Sequence, residues 1–193
     1  MKAVTPVITT FSVHEECNLM LKRTVMTLVC VFIFPLQSIA AMQRAAGVQH
    51  VEISGNVTTM NVSSTKQVGQ ICVTMIRSSN GREVFNDCGA LIGNVVSADL
   101  QAGSTILKHT ALFDMRDMLV TRNDHAQITG IQNVDEKGTP CAFTVVESIN
   151  EVEKGAGIFR DSKMNIAASG TIRFCPGKNL NLLTLQGEAC VRK

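Results

Sequence analysis

Short runs of alternating apolar and polar residues, separated by Gly, Asn, Asp and Pro, fill the chain from residue 49 to its end. Val, Ile and Thr dominate these runs, as they do on pleated β-surfaces, and turn residues recur roughly every 8 to 12 positions, which is typical of sandwiches and barrels. The predicted strand segments are 51–54, 56–62, 70–88 (a hairpin), 90–96, 104–113, 117–122, 126–134, 141–149, 157–160, 165–175, 180–185 and 189–192. Residues 98–103 and 110–120 could form helical turns, but neither has the length of a good amphipathic helix. We therefore predict an all-β fold: a single antiparallel β-sandwich or barrel with at most one or two short helical turns.

The stretch ICVTMIRSSNGREVFNDC, residues 71–88, has a cysteine near each end and Asn80-Gly81 near its middle. A three-residue loop with Gly81 in the left-handed conformation predicts a hairpin register. That register sets three favourable pairs opposite each other: Arg77–Glu83, Met75–Phe85 and Cys72–Cys88. A two-residue loop gives poorer pairs. Directly opposed residues are close enough for a disulfide, so we predict a Cys72–Cys88 bridge, with two reduced core cysteines as the alternative.

The remaining cysteines of the β-rich region are Cys141, Cys175 and Cys190. Cys175 precedes the turn signal Pro176-Gly177, and Cys190 lies near the C-terminus, where a bridge would prevent fraying. We predict a Cys175–Cys190 bridge that leaves Cys141 as a free thiol, with pairing of Cys141 to either of the others as the alternative. None of the five cysteines of the β-rich region lies at metal-ligand spacing from another cysteine or from a histidine, so a zinc site is not predicted.

The N-terminal region has the layout of a targeting segment. From Met20 it shows a basic start, an apolar run of about ten residues and a small-residue end at Ala40-Ala41, as secretory signal peptides do. We predict a signal peptide over 20–41, cleaved after Ala40 or Ala41, with an uncleaved anchor as the alternative. Residues 1–19 are an upstream extension or a mis-called start, and 42–193 form a single β-rich domain. The expected location is periplasmic or secreted, without a stable membrane span after cleavage.

Charge and aromatic content exclude some functions. The chain has 18 Lys+Arg against 16 Asp+Glu, and it has no Trp and no Tyr. Nucleic-acid binding needs a positive surface, and single strands also need aromatic stacking platforms, so no nucleic-acid partner is predicted. The lack of Trp and Tyr also argues against a carbohydrate-binding surface.

Catalytic motifs are not found. The sequence has no serine elbow, no H-E-x-x-H and no phosphate-binding glycine loop. The acidic stretch before His125 suggests a metal site from Asp114, Asp117, Asp124 and His125, but a solvated polar loop explains these residues better. Cys141 with His125 is a nucleophile pair supported only by the leftover thiol. We predict no enzyme activity, no metal and no cofactor.

Two functions fit these features. The first is an exported, non-catalytic β-domain that binds a protein partner or a second copy of itself, or forms part of a surface or periplasmic assembly. The alternative is a carrier of a small apolar ligand, with the strands closed around a cavity. Methionines could line such an adaptable cavity. The candidates are Met60, Met75, Met115, Met118 and Met164.

Overall fold

Ten β-strands and one 3-10 helix form the part of the chain that the computed structural model describes, residues 47–99, 101–114 and 116–193. The strands are β1 (Val48–Ser63), β2 (Lys66–Arg77), β3 (Glu83–Asp99), β4 (Ser104–Leu112), β5 (Met118–Thr121), β6 (Asp124–Val134), β7 (Pro140–Ile149), β8 (Val152–Ala156), β9 (Lys163–Arg173) and β10 (Leu180–Arg192). The all-β prediction is confirmed, and the one helical turn, Gly157–Phe159, is within the expected number. Gly47–Lys193 is one compact unit. The predictions for 1–19 and 20–41 lie outside the described residues.

The strand pairings close into a ring, which makes the fold a barrel. The antiparallel neighbours are β1–β2, β2–β3, β3–β4, β4–β6, β6–β7, β7–β9 and β9–β10. Strand β10 then pairs with β1, from Val48 opposite Arg192 to Met60 opposite Leu180. Each strand runs next to the one before it, apart from β5 and β8, so the barrel has up-and-down order.

Strands β5 and β8 form a side extension of the ring. One edge of β4 is shared, since its first residues pair with β6 and Thr110–Leu112 pair with β5. Strand β8 then pairs with β5. At this end of the barrel the 3-10 helix supplies Phe159, which stacks on Phe113 with ring centroids 5.2 Å apart. Phe85 meets both rings edge-on. The three rings close this end of the barrel interior, and we call them the aromatic plug.

The predicted hairpin is present, with a longer turn than expected. Cys72 lies opposite Cys88 and Met75 opposite Phe85, and the Cys72–Cys88 disulfide is formed. Gly81 has a positive φ of 66°, as predicted. The prediction that Arg77 lies opposite Glu83 is wrong, because a bulge puts Glu83 opposite Ile76. The extra bulge residue lets a four-residue turn replace the three-residue turn without changing the cysteine register.

The predicted Cys175–Cys190 bridge is wrong. Cys175 is bonded to Cys141, so Cys141 is not a free thiol, and Cys190 is disulfide-bonded but not to Cys175. Strand β10 begins at the Cys175 end of the barrel and carries Cys190 to the far end. Ten residues of strand, from Leu180 to Cys190, span roughly 33 Å, well beyond the reach of a disulfide. Cys141 starts β7 beside the end of β9, where its carbonyl accepts a hydrogen bond from the Phe174 amide.

Several predicted segment boundaries also change. Segments 51–54 and 56–62 are one strand, β1, and 90–96 continues the second strand of the hairpin as β3. Segment 157–160 contains the 3-10 helix instead of a strand, and the proposed helical turn at 110–120 is divided between β4 and β5. Within the described part of the chain, no helix is both long and apolar enough to cross a membrane.

Candidate functional site

A cavity of about 270 Å³ occupies the barrel end opposite the aromatic plug. The larger apolar residues of its wall are Val95, Leu107, Ile128, Phe143, Val145, Ile172, Phe174 and Leu183, and the exposed polar residues Ser63, Ser64, Thr65 and Lys66 also line it. Phe174 and Ile128 are 51% and 37% exposed, so the apolar wall continues to the mouth. Small-molecule pockets span roughly 300 to 1,000 Å³, and this cavity lies just below that range.

Polar side chains lie between this cavity and the plugged half of the barrel. Gln67 and Glu147 line both the large cavity and a smaller one of about 60 Å³ within the core. Asn181, fully buried on β10, lines the large cavity as well. The cavity therefore has an apolar wall and a polar floor, the usual composition of a small-ligand site.

Three ionisable side chains meet inside the barrel, and we call them the buried triad: His109, Asp124 and Glu147. They come from neighbouring strands β4, β6 and β7, and the pairing of Leu107 with Asp124 places them at one level. His109 Nδ1 lies 2.8 Å from Asp124 Oδ2 and 3.3 Å from Glu147 Oε1. All three are buried, with Asp124 at 0% exposure.

The hydrogen bonds of the triad are incomplete. The Nδ1 proton is directed at Asp124, so Glu147 Oε1 is near the ring but accepts no hydrogen bond. Asp124 Oδ1 has no partner either. The Thr121 hydroxyl donates to Asp124 Oδ2 and accepts from the His109 backbone amide. Unpartnered buried carboxylate oxygens are costly, so a cation or proton donor would be stabilised here.

The surroundings shift two pKa values in the triad. Burial by itself would lower the pKa of His109, but the charge of Glu147 and the hydrogen bond and charge of Asp124 outweigh it, so that pKa is raised. Burial raises the pKa of Glu147, and Asp124 adds to this, while His109 opposes it. These shifts favour retention of a proton on both groups.

A directional series of hydrogen bonds connects the triad with the cavity floor. The Arg173 backbone amide donates to Asn181 Oδ1, and the Asn181 amide donates to Gln67 Oε1, 3.3 Å away. Thr59 also donates to Gln67 Oε1. The Gln67 amide nitrogen therefore faces His109 Nε2 at 3.4 Å. In the neutral imidazole with Nδ1 donating to Asp124, Nε2 is the ring's acceptor.

The structure separates the acidic residues that the sequence grouped as a possible metal site. Asp114 turns back on its own loop, where its carboxylate accepts the amides of Arg116 and Asp117, and these bonds lower its pKa. Asp117 accepts the Ile158 amide. His125 is exposed, on the opposite face of β6 from Asp124. Only Asp124 reaches the triad. The Cys141–His125 nucleophile pair is wrong, because Cys141 is in a disulfide.

The sequence analysis identified neither His109 nor Glu147 as a site residue. A signal was present: Leu107, His109 and Ala111 alternate along the buried face of β4, and Val145 and Glu147 do so along β7. An ionisable residue on the apolar face of an alternating run marks an inward-pointing charge. Two such residues would have predicted a buried polar centre.

None of the candidate methionines that the structure describes lines the large cavity. Met75 and Met164 are buried core residues that line the smaller cavity. Met60 is exposed on the outer surface, Met118 is half-buried in β5, and Met115 lies outside the described residues. The expectation of a methionine-lined cavity is therefore wrong for the large cavity, whose wall is aliphatic and aromatic.

No family model, no curated protein and no solved structure matches this chain.

Proposed function

We propose that the protein binds a small, largely apolar ligand inside its barrel and has no catalytic role. The observation that carries the proposal is the cavity of about 270 Å³ with a polar floor at one open end of a closed ring of strands. The aromatic plug fills the other end, so the interior has one entrance. The ligand's apolar part would contact residues such as Phe143 and Leu183, and a polar group would face Gln67, Glu147 and Asn181.

The location we propose is outside the cytoplasm, periplasmic or secreted. Cys72–Cys88 and Cys141–Cys175 are intramolecular disulfides, which are compatible with an oxidising compartment. The second bridge fixes the segment that carries Phe174 to the start of β7, beside the mouth of the cavity. An exported ligand binder would benefit from a mouth held in this way.

Binding of N-phenyl-1-naphthylamine, an apolar fluorescent probe, tests the ligand-binding role. Ala126 is half-buried and lines the cavity, so Ala126→Trp would fill part of it. Ala167 is exposed on β9, so Ala167→Trp makes the same change outside the barrel. We expect one probe per chain with micromolar affinity, unchanged in Ala167→Trp and at least tenfold weaker in Ala126→Trp.

Thermal unfolding of each variant establishes that it is folded before titration. Absence of stoichiometric probe binding by the wild type, or equal binding by the two tryptophan variants, would overturn the proposal. If the probe binds only to partly unfolded protein, its fluorescence titration will not saturate at one probe per chain, and this distinguishes such binding from binding in the cavity.

A protein-binding role is the second candidate, supported by an apolar area on the outer surface. Met60 and Leu180 lie opposite each other on β1 and β10 and are 49% and 40% exposed, and nearby Leu182 is 46% exposed. Contiguous exposed apolar residues often mark contact surfaces. Sedimentation velocity tests self-association through this area. If the wild type self-associates and the double change Leu180→Lys/Leu182→Lys abolishes the association, the result supports this role. A wild type that is monomeric at all concentrations argues against a homo-oligomer.

A further inference from the structure

We propose that His109, Asp124 and Glu147 form a binding site for one divalent transition-metal ion of the Zn²⁺ type. The ligand atoms are His109 Nδ1 and one oxygen of each carboxylate. The site shares Glu147 with the floor of the large cavity, but it does not depend on the ligand-binding role.

The geometry of the three groups is close to that of a metal site. One ligand atom from each residue lies within 4.8 Å of the other two. Around a tetrahedral zinc ion with bonds of about 2.1 Å, ligand atoms are separated by roughly 3.4 Å. The separations of Nδ1 from Asp124 Oδ2 and Glu147 Oε1, 2.8 and 3.3 Å, need only small side-chain adjustments to reach that value.

The unpartnered oxygens provide a second, independent observation. Asp124 Oδ1 and Glu147 Oε1 are fully buried and accept no hydrogen bond. Among the described residues, the only basic side chain within ion-pair distance of either carboxylate is His109. Metal binding requires a neutral imidazole and ionised carboxylates, and in that form the two buried carboxylates carry negative charge that no other described basic side chain within ion-pair distance offsets. A divalent cation bound through one oxygen of each carboxylate would neutralise this charge.

Space and supporting contacts are also present. The cavity of about 60 Å³ within the core is lined by His109, Thr121 and Glu147 but not by Asp124, and its volume is enough for a water molecule beside His109 and Glu147. Thr121 orients the Asp124 carboxylate through its hydroxyl. Metal at His109 Nδ1 moves the ring proton to Nε2, which faces Gln67. Rotation of the Gln67 amide, which gives up the bonds that its oxygen accepts from Thr59 and Asn181, then presents this oxygen as the acceptor that metal-bound histidines generally have.

The donor set selects a class of metal. One imidazole nitrogen with two carboxylate oxygens supplies three protein ligands and leaves one position open, and the imidazole nitrogen suits ions of the Zn²⁺ type better than Mg²⁺ or Ca²⁺. Ca²⁺ takes six to eight oxygen ligands, and Mg²⁺ needs octahedral oxygen coordination. The buried triad offers neither, so these two ions are the matched negative controls.

Isothermal titration calorimetry of the metal-stripped full chain with Zn²⁺ tests the site. We expect one Zn²⁺ per chain at pH 7.5, and no binding of Mg²⁺ or Ca²⁺ at the same concentrations. Glu147→Gln keeps the shape of the side chain and removes its charge, and we expect at least a 100-fold loss of affinity. Gln67→Leu, which removes the acceptor for the ring, should cost about 10- to 100-fold.

The control variant is His125→Gln, because His125 follows Asp124 in the chain but is exposed on the other face of β6. Its affinity for Zn²⁺ should equal that of the wild type. Visible absorption of the Co²⁺-loaded protein reports directly on nitrogen and oxygen coordination, so a Glu147→Gln variant that is merely less stable is distinguished from one that lacks a ligand. No stoichiometric Zn²⁺ binding by the wild type, or equal affinity in Glu147→Gln and His125→Gln, would overturn the proposal.

Discussion

His109 Nδ1 donates to Asp124 Oδ2 across 2.8 Å inside the barrel. His109 lies on β4, and Asp124 lies on β6, which pairs with one edge of β4. The Thr121 hydroxyl joins the same oxygen from β5. Strands β5 and β6 pair with different parts of the same edge of β4. Where the two strands diverge, these polar contacts stabilise the sheet in addition to strand pairing. The buried polar centre therefore has a structural role in addition to any ligand that it binds.

Thr121→Val should destabilise the protein by about 2 to 3 kcal/mol. The valine keeps the shape of the side chain but removes a donor to a buried carboxylate and an acceptor for the His109 amide, and hydrogen bonds to charged groups contribute roughly 1.5 to 3 kcal/mol. Thr121→Ser keeps the hydroxyl and should cost less than about 1 kcal/mol. Urea unfolding of the two variants measures the difference, and equal midpoints would show that the hydroxyl is not needed.

Asn181→Ala should lower the free energy of unfolding by about 2 to 4 kcal/mol, because several buried groups lose their partner at once. The side chain accepts the Arg173 amide and donates toward Thr59, Asn61 and Gln67. Asn179 is an exposed asparagine two residues earlier, and Asn179→Ala should change stability by less than about 0.5 kcal/mol. Similar losses for the two variants in chemical denaturation would contradict the importance of the buried network.

The strand content was predictable from the sequence, whereas the strand lengths were not. Gly55 and Gly89 were read as breaks, yet both lie inside long strands. At Gly89 the Leu112 carbonyl oxygen lies 2.3 Å from where a Cβ would be, and at Gly55 the Cys72 oxygen lies 2.2 Å away. These glycines allow a neighbouring backbone to approach closely, which depends on tertiary contacts that local sequence does not show.

The disulfides show the same limit. The Cys72–Cys88 bridge follows from local register, because both cysteines belong to one hairpin. The Cys141–Cys175 bridge depends on the pairing of β7 with β9, which are separated by β8 and the 3-10 helix. Sequence spacing near the C-terminus favoured Cys190 instead. The buried triad likewise assembles from three strands, so alternation predicts that His109 and Glu147 point inward but not that they meet.

Gly89→Ala should destabilise the barrel by about 1 to 3 kcal/mol, since the added methyl group would overlap the backbone of Leu112 and Phe113. Gly130 provides the matched control, because its added Cβ would meet only the Thr144 hydroxyl, at 3.7 Å. Gly130→Ala should be neutral or stabilise by up to about 1 kcal/mol. Thermal unfolding compares them, and a neutral Gly89→Ala would mean that β3 and β4 are farther apart than described.

Phe159→Ala should cost about 3 to 5 kcal/mol, the usual range for removing a buried phenylalanine. Its ring is 2% exposed and packs against Phe113 and Phe85. Phe174 is 51% exposed at the mouth of the cavity, so Phe174→Ala should have little effect on stability but should weaken binding of the naphthylamine probe. Denaturation and probe titration of both variants separate the two roles. If Phe159→Ala weakened probe binding without loss of stability, and Phe174→Ala lost stability without an effect on probe binding, the assignment of the plug and the entrance to their ends of the barrel would be contradicted.

Removal of the Cys141–Cys175 bridge by Cys141→Ser/Cys175→Ser should lower the free energy of unfolding by about 4 kcal/mol. The bridge closes a chain segment with a sequence separation of 34, and the entropy of closing such a loop in the unfolded chain sets this magnitude. Cys72→Ser/Cys88→Ser, with a separation of 16, should lose about 3 kcal/mol. Non-reducing peptide mapping of the wild type checks the connectivity first, and a peptide joining Cys175 to Cys190 would contradict the placement of these two cysteines at opposite ends of the barrel. The first variant alone should also bind the apolar probe less tightly, because the bridge holds the segment that carries Phe174 beside the cavity mouth.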